Sequence, residues 1–388
     1  MRVLFVTWAW PTHLFPMVPL AWALRAHGHD VRVASQPALT DAIPHTGLPA
    51  VSVGKDVNVI GKLRQIAAAP AVAGRPTAGS TPRAAAMFAE LAEAMLPDLV
   101  AFGRRWRPDL VVFEPTAYAG PIAAAAFGVP AVRYLYGPDI MAAPVFRDAE
   151  RQFLAPLWER YGLDAVDTAG ALTLDPCPVA LQVEEPLGPR QPVQYVPYNG
   201  FGGGLPPEWS SGKATRPRVC VTWGTTYGRL DPAYFLLPEV LTALSTLDIE
   251  VVAAITTAQR ELCTELPAGV HVTESVPLYR LLPACDAVVS HGGVGTSMTS
   301  LACAGLPLLM TPQLPDHRFH AARVAAAGAG RVLPLADFSP ATIRGEVGAL
   351  LDQLSYRTEA IQLRKEMLAQ PTPAELVPVL VELATSAR

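Results

Sequence analysis

The chain has 388 residues, of which 51% are hydrophobic and only 16% are charged, and its formal net charge is −4. This length favours two domains, each large enough to bury its own core. A slightly acidic chain without a dense block of lysine and arginine argues against nucleic acids and anionic membranes as partners.

The cysteines and the apolar runs of the sequence also indicate the cellular compartment. The five cysteines are scattered and form no Cys-x-x-Cys pair, which is typical of reduced core residues. No apolar run reaches membrane-spanning length, and the apolar stretch at 3–7 is too short for the core of a signal peptide. We therefore expect a cytoplasmic protein.

The N-terminal half alternates short apolar runs with helical patterns. The predicted strands lie at 2–7, 30–35, 110–113 and 131–135, and the predicted helices at 14–27, 87–106 and 120–127. The segment 54–86, rich in Ala, Pro and Gly, is predicted to be a mobile loop with the start of a helix, and 137–204 to be irregular. Strands that alternate with helices indicate a parallel sheet that binds ligands at the carboxyl ends of its strands.

The same pattern restarts after a linker predicted at 205–216. The predicted strands lie at 219–223, 250–256, 270–273, 286–290 and 306–311, and the predicted helices at 232–247, 279–283, 295–304, 317–328 and over much of 340–386. The sequence thus predicts an α/β protein with two Rossmann-like parallel-sheet domains, at 1–204 and 217–369, that face each other across a cleft.

The segment 290–297 (SHGGVGTS) lies between a predicted buried strand and a predicted helix. The first N–H groups of such a helix have no partner within it and coincide with the positive end of the helix dipole, so they can bind an anion. Gly293 and Gly295 would let a diphosphate approach the backbone, and His291 and Thr296 could add donors. The alternative is a plain strand-to-helix turn. Because the P-loop lysine and the third Rossmann glycine are missing, a nucleotide-sugar diphosphate fits better than ATP or NAD.

With both halves considered, the chain resembles the inverting glycosyltransferases of the GT-B fold that decorate natural products. More narrowly, it resembles the actinobacterial enzymes that attach deoxysugars to polyketides, such as those that rhamnosylate spinosyns. The resemblance extends over nearly the whole chain, and its segments are 11–13, 18–24, 175–178, 194–200, 275–278 and 315–316. It implies that the first domain binds the acceptor, that the second binds the nucleotide sugar, and that a helix at about 370–388 packs back on the first domain.

The resemblance also implies catalytic roles. His13, on the loop after the first strand, would be the base that takes a proton from the acceptor hydroxyl, unless it serves only the start of a helix. Glu114, at the end of strand 110–113, would orient that base and stabilise its protonated form. The family commonly has Asp at this place.

The donor-binding residues predicted from the sequence and the resemblance are Gly224, Thr225, Ser275, Val276, His291, Gly292, Gly293, Gly295, Thr296, Asp316, His317 and Tyr136. Ser275 and Val276 would offer backbone groups to a pyrimidine base, and Tyr136 would stack on thymine. Asp316 would accept hydrogen bonds from sugar hydroxyls, and His317 stands where the family generally has Gln.

No metal and no cofactor is expected, since the sequence has no Asp-x-Asp motif and no His/Cys cluster with zinc spacing. The predicted reaction is a single displacement that inverts the anomeric centre and moves a deoxysugar from dTDP to a hydroxyl of a hydrophobic polyketide. C-glycosylation of an aromatic polyketide, a nucleotide-sugar epimerase of the same fold and a non-catalytic partner stay open as alternatives. The oligomeric state is also open, with a homodimer as one option.

Overall fold

The computed structural model describes residues 1–67, 80–185, 187–202, 214–263 and 265–386. Within them lie two parallel sheets, one of seven strands and one of six. Most of the predicted linker, part of the predicted loop at 54–86 and the last two residues of the chain fall outside the described residues.

The first sheet has the strand order β3-β2-β1-β4-β5-β6-β7. Its strands are β1 (Arg2–Val6), β2 (Asp30–Ser35), β3 (Ala50–Ser52), β4 (Leu110–Phe113), β5 (Ala131–Tyr134), β6 (Leu172–Asp175) and β7 (Arg190–Pro192). The helices of this half are α1 (Pro11–Leu14), α2 (Val18–Ala26), α3 (Pro37–Thr40), α4 (Val59–Ala67), α5 (Ser80–Trp106), α6 (Ala119–Phe127) and α7 (Pro144–Glu159).

Three predictions for this half are wrong. The segment 137–204 is not irregular, because it contains α7, β6 and β7. Part of the predicted loop at 54–86 is the helix α4. The predicted helix at 14–27 is divided into α1, a short 3₁₀ turn at Phe15–Met17 and α2. Each of these three elements has a proline in its first turn, and proline has no N–H to continue the preceding helix.

The second sheet has the order β10-β9-β8-β11-β12-β13. Its strands are β8 (Arg218–Thr222), β9 (Glu250–Ile255), β10 (Val270–Glu274), β11 (Ala287–Ser290), β12 (Leu308–Met310) and β13 (Gly330–Val332). The helices that follow β8 along the chain are α8 (Tyr227–Leu230), α9 (Leu237–Leu244), α10 (Thr257–Leu262), α11 (Leu278–Leu281), α12 (Val294–Ala304), α13 (Pro315–Ala326), α14 (Pro340–Asp352), α15 (Leu354–Leu368) and α16 (Val377–Ser386).

Both faces of the first sheet are buried, as the continuous apolar character of its strands requires. Along β1, Leu4 and Val6 join one core, while Val3 and Phe5 join the other. The second core includes Leu380 of α16, so the last helix of the chain packs on the first sheet. Burying such a leucine contributes about 1.5–3 kcal/mol.

Further contacts connect the two halves of the chain. The backbone N–H of Gln194 donates to the carbonyl of Pro371 over 2.7 Å, and the Arg323 guanidinium donates to the carbonyl of Gln182, also over 2.7 Å. The five cysteines are unpaired, and four of them are buried. Among the described residues, no helix combines the length and the apolar character needed to cross a membrane.

Candidate active site

A cavity of about 600 Å³ is lined by the loops that follow strands of both sheets. The strand order of each sheet reverses once, between β1 and β4 in the first and between β8 and β11 in the second. Ligands of open parallel sheets bind outside the carboxyl ends of the strands at such a reversal. Residues that follow all four of these strands line the cavity, including His13, Thr116, Gly224 and His291.

His13 and Glu114 lie together at the first reversal. His13 belongs to α1, after β1, and Glu114 directly follows β4, the neighbour of β1 in the sheet. Nδ1–H of His13 donates to Oε2 of Glu114 over 3.1 Å. The Glu114 side chain is fully buried, whereas the His13 side chain is 17% exposed. Because a carboxylate only accepts, Nδ1 carries the hydrogen and Nε2 keeps a lone pair, which is the arrangement of an oriented general base.

Thr116, which the sequence analysis did not identify, holds Glu114 in place. Its backbone N–H donates to Oε2 of Glu114 over 2.9 Å, and its hydroxyl donates to the same oxygen over 2.8 Å. The indole N–H of Trp8 donates in turn to the Thr116 hydroxyl over 2.9 Å. The Glu114 carboxylate thus folds back on the turn at Thr116 while still contacting His13.

Tyr136 packs against the base. The ring centroids of Tyr136 and His13 are 4.8 Å apart. The next residue, Gly137, adjoins the start of α12, since a Cβ there would come within 2.4 Å of a methyl carbon of Val294. Burial and the nearby Glu114 carboxylate raise the pKa of Tyr136, which keeps its hydroxyl protonated. Tyr136 thus packs on the base, next to a residue that adjoins α12, and its stacking on thymine stays a prediction.

The first turn of α12 faces the cavity with free backbone N–H groups. The helix begins after Gly293, and no side chain caps it. Nearby His291 is buried, which lowers its pKa well below the usual value and keeps the ring neutral. Its Nδ1 has no hydrogen-bond partner among the described residues. The uncapped, positive end of this helix leaves hydrogen-bonding capacity that an anionic ligand would satisfy.

Two of the predicted glycines adjoin the ring of His291. A Cβ on Gly293 would lie 2.5 Å from Nε2 of His291, and a Cβ on Gly224 would lie 2.4 Å from its Cε1. Gly224 and Gly293 therefore leave room for the His291 ring, and both also line the cavity. A Cβ on Gly295, by contrast, would meet no atom within 4 Å. Gly292 is needed for its backbone, with a φ of +83°.

Asp316 and His317 lie in the first turn of α13 and line the cavity. The Asp316 side chain is 57% exposed, and its Oδ2 lies 3.6 Å from Nε2 of His317. The other ring nitrogen of His317, Nδ1, is hydrogen-bonded to the Tyr227 hydroxyl over 2.9 Å. The negative charge of Asp316 also contributes to the raised pKa of Tyr136, so the two side chains share one region of the cavity.

Ser275 and Val276 follow β10 and line the cavity together with Thr225 and Thr296. Ser275 has a left-handed backbone, with a φ of +54°. Its N–H already donates to the carbonyl of Ile255 over 2.8 Å. This N–H is therefore occupied, and the expectation that Ser275 and Val276 offer backbone groups to a base stays a prediction.

Comparisons with known proteins identify the family. Residues 22–224 match the erythromycin biosynthesis protein CIII-like N-terminal domain, and residues 238–383 match the corresponding C-terminal domain. The chain belongs to this family of glycosyltransferases. The 10-deoxymethynolide desosaminyltransferase of Streptomyces venezuelae is 40% identical in sequence, and the match covers 100% of this chain and 98% of that enzyme.

Solved structures of the family have the same fold. The spinosyn rhamnosyltransferase SpnG superposes with a TM-score of 0.85 at 33% identity, covering 98% of this chain and 100% of SpnG, and SpnG has also been solved complexed with thymidine diphosphate and with spinosyn aglycone. The glycosyltransferase VinC in complex with dTDP has a TM-score of 0.83 at 32% identity, with 100% of both chains covered. The resemblance and the two-domain GT-B fold predicted from the sequence are thus confirmed.

The apolar part of the cavity was not predicted residue by residue. It is lined by aromatic and aliphatic side chains, among them Trp8, Trp10, Met87, Phe88 and Phe146. The Arg229 guanidinium, which follows β8 in the second half of the chain, lies 4.8 Å from the centroid of the Trp10 ring. The sequence signal that could have indicated this region is the cluster of tryptophans directly after β1.

In the part of the chain that the structure describes, no three His, Cys, Asp or Glu side chains come together as a group that could hold a metal ion. Whether the reaction needs a metal is a separate question, and the expectation that it needs none stays a prediction.

Proposed function

We propose that this glycosyltransferase moves a deoxysugar from a dTDP-sugar to a hydroxyl group of a hydrophobic polyketide, with inversion at the anomeric carbon. The observation that carries the proposal is that His13, paired with Glu114, and the uncapped end of α12 line the same cavity. A base for the acceptor and an anion site for the leaving group are the two elements that a direct displacement requires.

His13 would act first in the proposed mechanism. Its Nε2 takes the proton of the acceptor hydroxyl as the oxygen forms a bond to the anomeric carbon. The bond between that carbon and the phosphate oxygen breaks at the same time, and dTDP leaves with the electron pair. Glu114 stabilises the imidazolium that results. A positioned base of this kind contributes about 10²–10⁴-fold to the rate.

The first turn of α12 would bind the diphosphate as negative charge grows on it. Free N–H groups near Gly295, the Thr296 hydroxyl and the helix dipole lie where such a group would be stabilised. We therefore propose that the reaction proceeds without a metal. SpnG and VinC, which share the fold, both bind thymidine diphosphate, and this supports dTDP as the nucleotide here.

The acceptor would occupy the apolar part of the cavity. Trp8, Trp10 and Phe88 offer broad aromatic surfaces to a ligand with few polar groups. The relative from Streptomyces venezuelae is named for a macrolide aglycone, and SpnG has been solved with the spinosyn aglycone. An epimerase acts on the donor alone and would have no use for this apolar surface.

Two further expectations belong to the proposal. Unpaired cysteines are typical of a reducing compartment, which supports a cytoplasmic location. A homodimer stays a prediction, and light scattering on the purified protein would test it.

Calorimetric titration with dTDP and UDP tests the donor half of the proposal. We expect dTDP to bind more tightly than UDP, and His291→Ala to weaken dTDP binding by about tenfold, the loss of roughly one hydrogen bond to a charged group. His27→Ala is the matched control, because His27 is exposed and bonded only to its own helix. If neither nucleotide binds to the wild type, the proposed function is wrong. A preference for UDP would retain the transferase but exclude the dTDP-sugar.

A further inference from the structure

Tyr227 lies next to the cavity and is fully buried. Its hydroxyl oxygen accepts hydrogen bonds from the backbone N–H groups of Gln313 and Leu314, at 3.0 and 3.1 Å. Its third partner is Nδ1 of His317, at 2.9 Å. Burial raises the pKa of Tyr227, so the hydroxyl keeps its hydrogen.

These three bonds determine which nitrogen of His317 carries the hydrogen. Two N–H groups already occupy the lone pairs of the Tyr227 oxygen, so the hydroxyl can only donate to the third partner. Nδ1 of His317 must then accept, and in a neutral imidazole the hydrogen therefore lies on Nε2. The Tyr227 hydroxyl thus selects one of the two tautomers.

Nε2 of His317 is the nitrogen available to a ligand. His317 lines the cavity whereas Tyr227 does not, and Nδ1 is turned toward Tyr227. Nε2 lies 3.6 Å from the largely exposed carboxylate of Asp316. The cavity therefore presents one fixed donor and one acceptor side by side. A glutamine at this position could turn its amide to present either group.

We propose that Tyr227 is a positioning residue that keeps His317 as an obligatory hydrogen-bond donor beside Asp316, the side chain that the sequence analysis expects to accept from a hydroxyl of the donor sugar. Such a hydroxyl donates to Asp316 and accepts from His317. This inference rests on the proposed function and deepens it, because it names the residue that determines how His317 can bond to the donor sugar.

The tautomer can be measured without any ligand. In protein labelled with ¹⁵N-histidine, the ring signals lost in His317→Gln identify His317, and their chemical shifts and couplings show which nitrogen is protonated. We expect Nε2 protonated and Nδ1 unprotonated in the wild type. A protonated Nδ1, or equal amounts of both tautomers, would overturn the inference. Tyr227→Phe should give mixed tautomers, and its melting temperature must be followed because two buried N–H groups lose their acceptor.

Recognition of the sugar is tested with two isosteric variants and two probes. Gln places an amide N–H near the position of Nε2, whereas Asn keeps an acceptor near Nδ1 and lacks the distal donor. We expect His317→Asn to weaken binding of dTDP-glucose by about tenfold and to leave dTDP binding unchanged. His317→Gln should bind both probes like the wild type. Arg318→Gln, on the same helix and outside the cavity lining, is the control.

Any other pattern overturns the inference: equal effects on both probes, no effect of His317→Asn, or a loss in His317→Gln as large as in His317→Asn. Failure of the proposed function gives a different result. In that case neither probe binds to the wild type, while the ring-nitrogen signals still report the tautomer that Tyr227 selects.

Discussion

Replacing Glu114 by Gln tests whether His13 works as one half of a pair. The carboxylate of Glu114 accepts from Nδ1–H of His13 and from both the backbone N–H and the hydroxyl of Thr116. Gln has the same length but only one acceptor oxygen and no charge. In the variant, an amide nitrogen, which cannot accept a hydrogen bond, takes the place of one carboxylate oxygen. The imidazolium that forms during the reaction also loses its counter-ion.

The size of the effect follows from the 3.1 Å between Nδ1 and Oε2. Two opposite unit charges at this distance attract each other by about 5 kcal/mol at an effective dielectric constant of 20, and by about 1.3 kcal/mol in water. Glu114 is fully buried but His13 is 17% exposed, so the loss lies between these limits. Since about 1.4 kcal/mol changes a rate tenfold, we expect kcat to fall by about 10²–10³-fold.

The assay is the initial rate of glycoside formation at saturating dTDP-sugar and aglycone. Melting temperature and dTDP affinity should match the wild type, which shows that the fold and the donor site are intact. His13→Ala gives the rate without the base, and Glu114→Asp, which keeps the charge, should lose less than Glu114→Gln. If Glu114→Gln retained a rate within about threefold of the wild type, the argument for the pair would be refuted.

Three other predictions follow from particular contacts. Gly295→Val should melt like the wild type but bind dTDP about tenfold more weakly, because its side chain enters open space over α12. Gly293→Val should melt at a lower temperature, because its Cβ would lie 2.5 Å from the His291 ring. Calorimetry and melting curves that show the same behaviour for both variants would contradict this prediction. Turnover should survive EDTA and gel filtration, and a requirement for added Mg²⁺ would count against binding of the leaving group by α12 alone. Burial raises the pKa of Glu150 and of Asp175, so the stability that these groups contribute is present below about pH 4, the range of their unfolded pKa values, and is lost as pH rises through the folded values. In urea unfolding, Glu150→Gln should lose less unfolding free energy toward neutral pH than the wild type. Parallel pH profiles of the two proteins would disprove the assignment.

The buried strands were the most predictable part of the fold. The strand at Leu110–Phe113 was predicted with its observed bounds, because parallel strands buried on both faces read as short, continuous apolar runs. The strand at Arg190–Pro192 has no such run, since it is a three-residue edge strand that ends in proline. The helix at Pro144–Glu159 was missed because Pro156 lies inside it and interrupts the helical pattern.

The candidate site was predictable to the extent that topology determines it. His13 and Glu114 follow neighbouring strands at a reversal of strand order, so their sequence positions already bring them to one edge of the sheet. Thr116 and Tyr227 act through the direction of single side chains: Tyr227 contacts a residue 90 positions away in sequence. Neither hydrophobic periodicity nor a sequence motif predicts such a contact, so only the packed structure shows it.

The two sheets place different chemistry at equivalent positions. Glu114 directly follows β4, and His291 directly follows β11, which has the same place in the second sheet. Glu114 is buried but bonded to His13 and Thr116, so it can support a charge on its partner. His291 is buried and neutral and lines the cavity beside the uncapped start of α12, so it is suited to contact with a ligand rather than to a proton relay. The repeated topology thus brings both residues to the edge of the cavity, and in the proposed mechanism the residue after the fourth strand of each sheet determines whether that edge activates the acceptor or binds the leaving group.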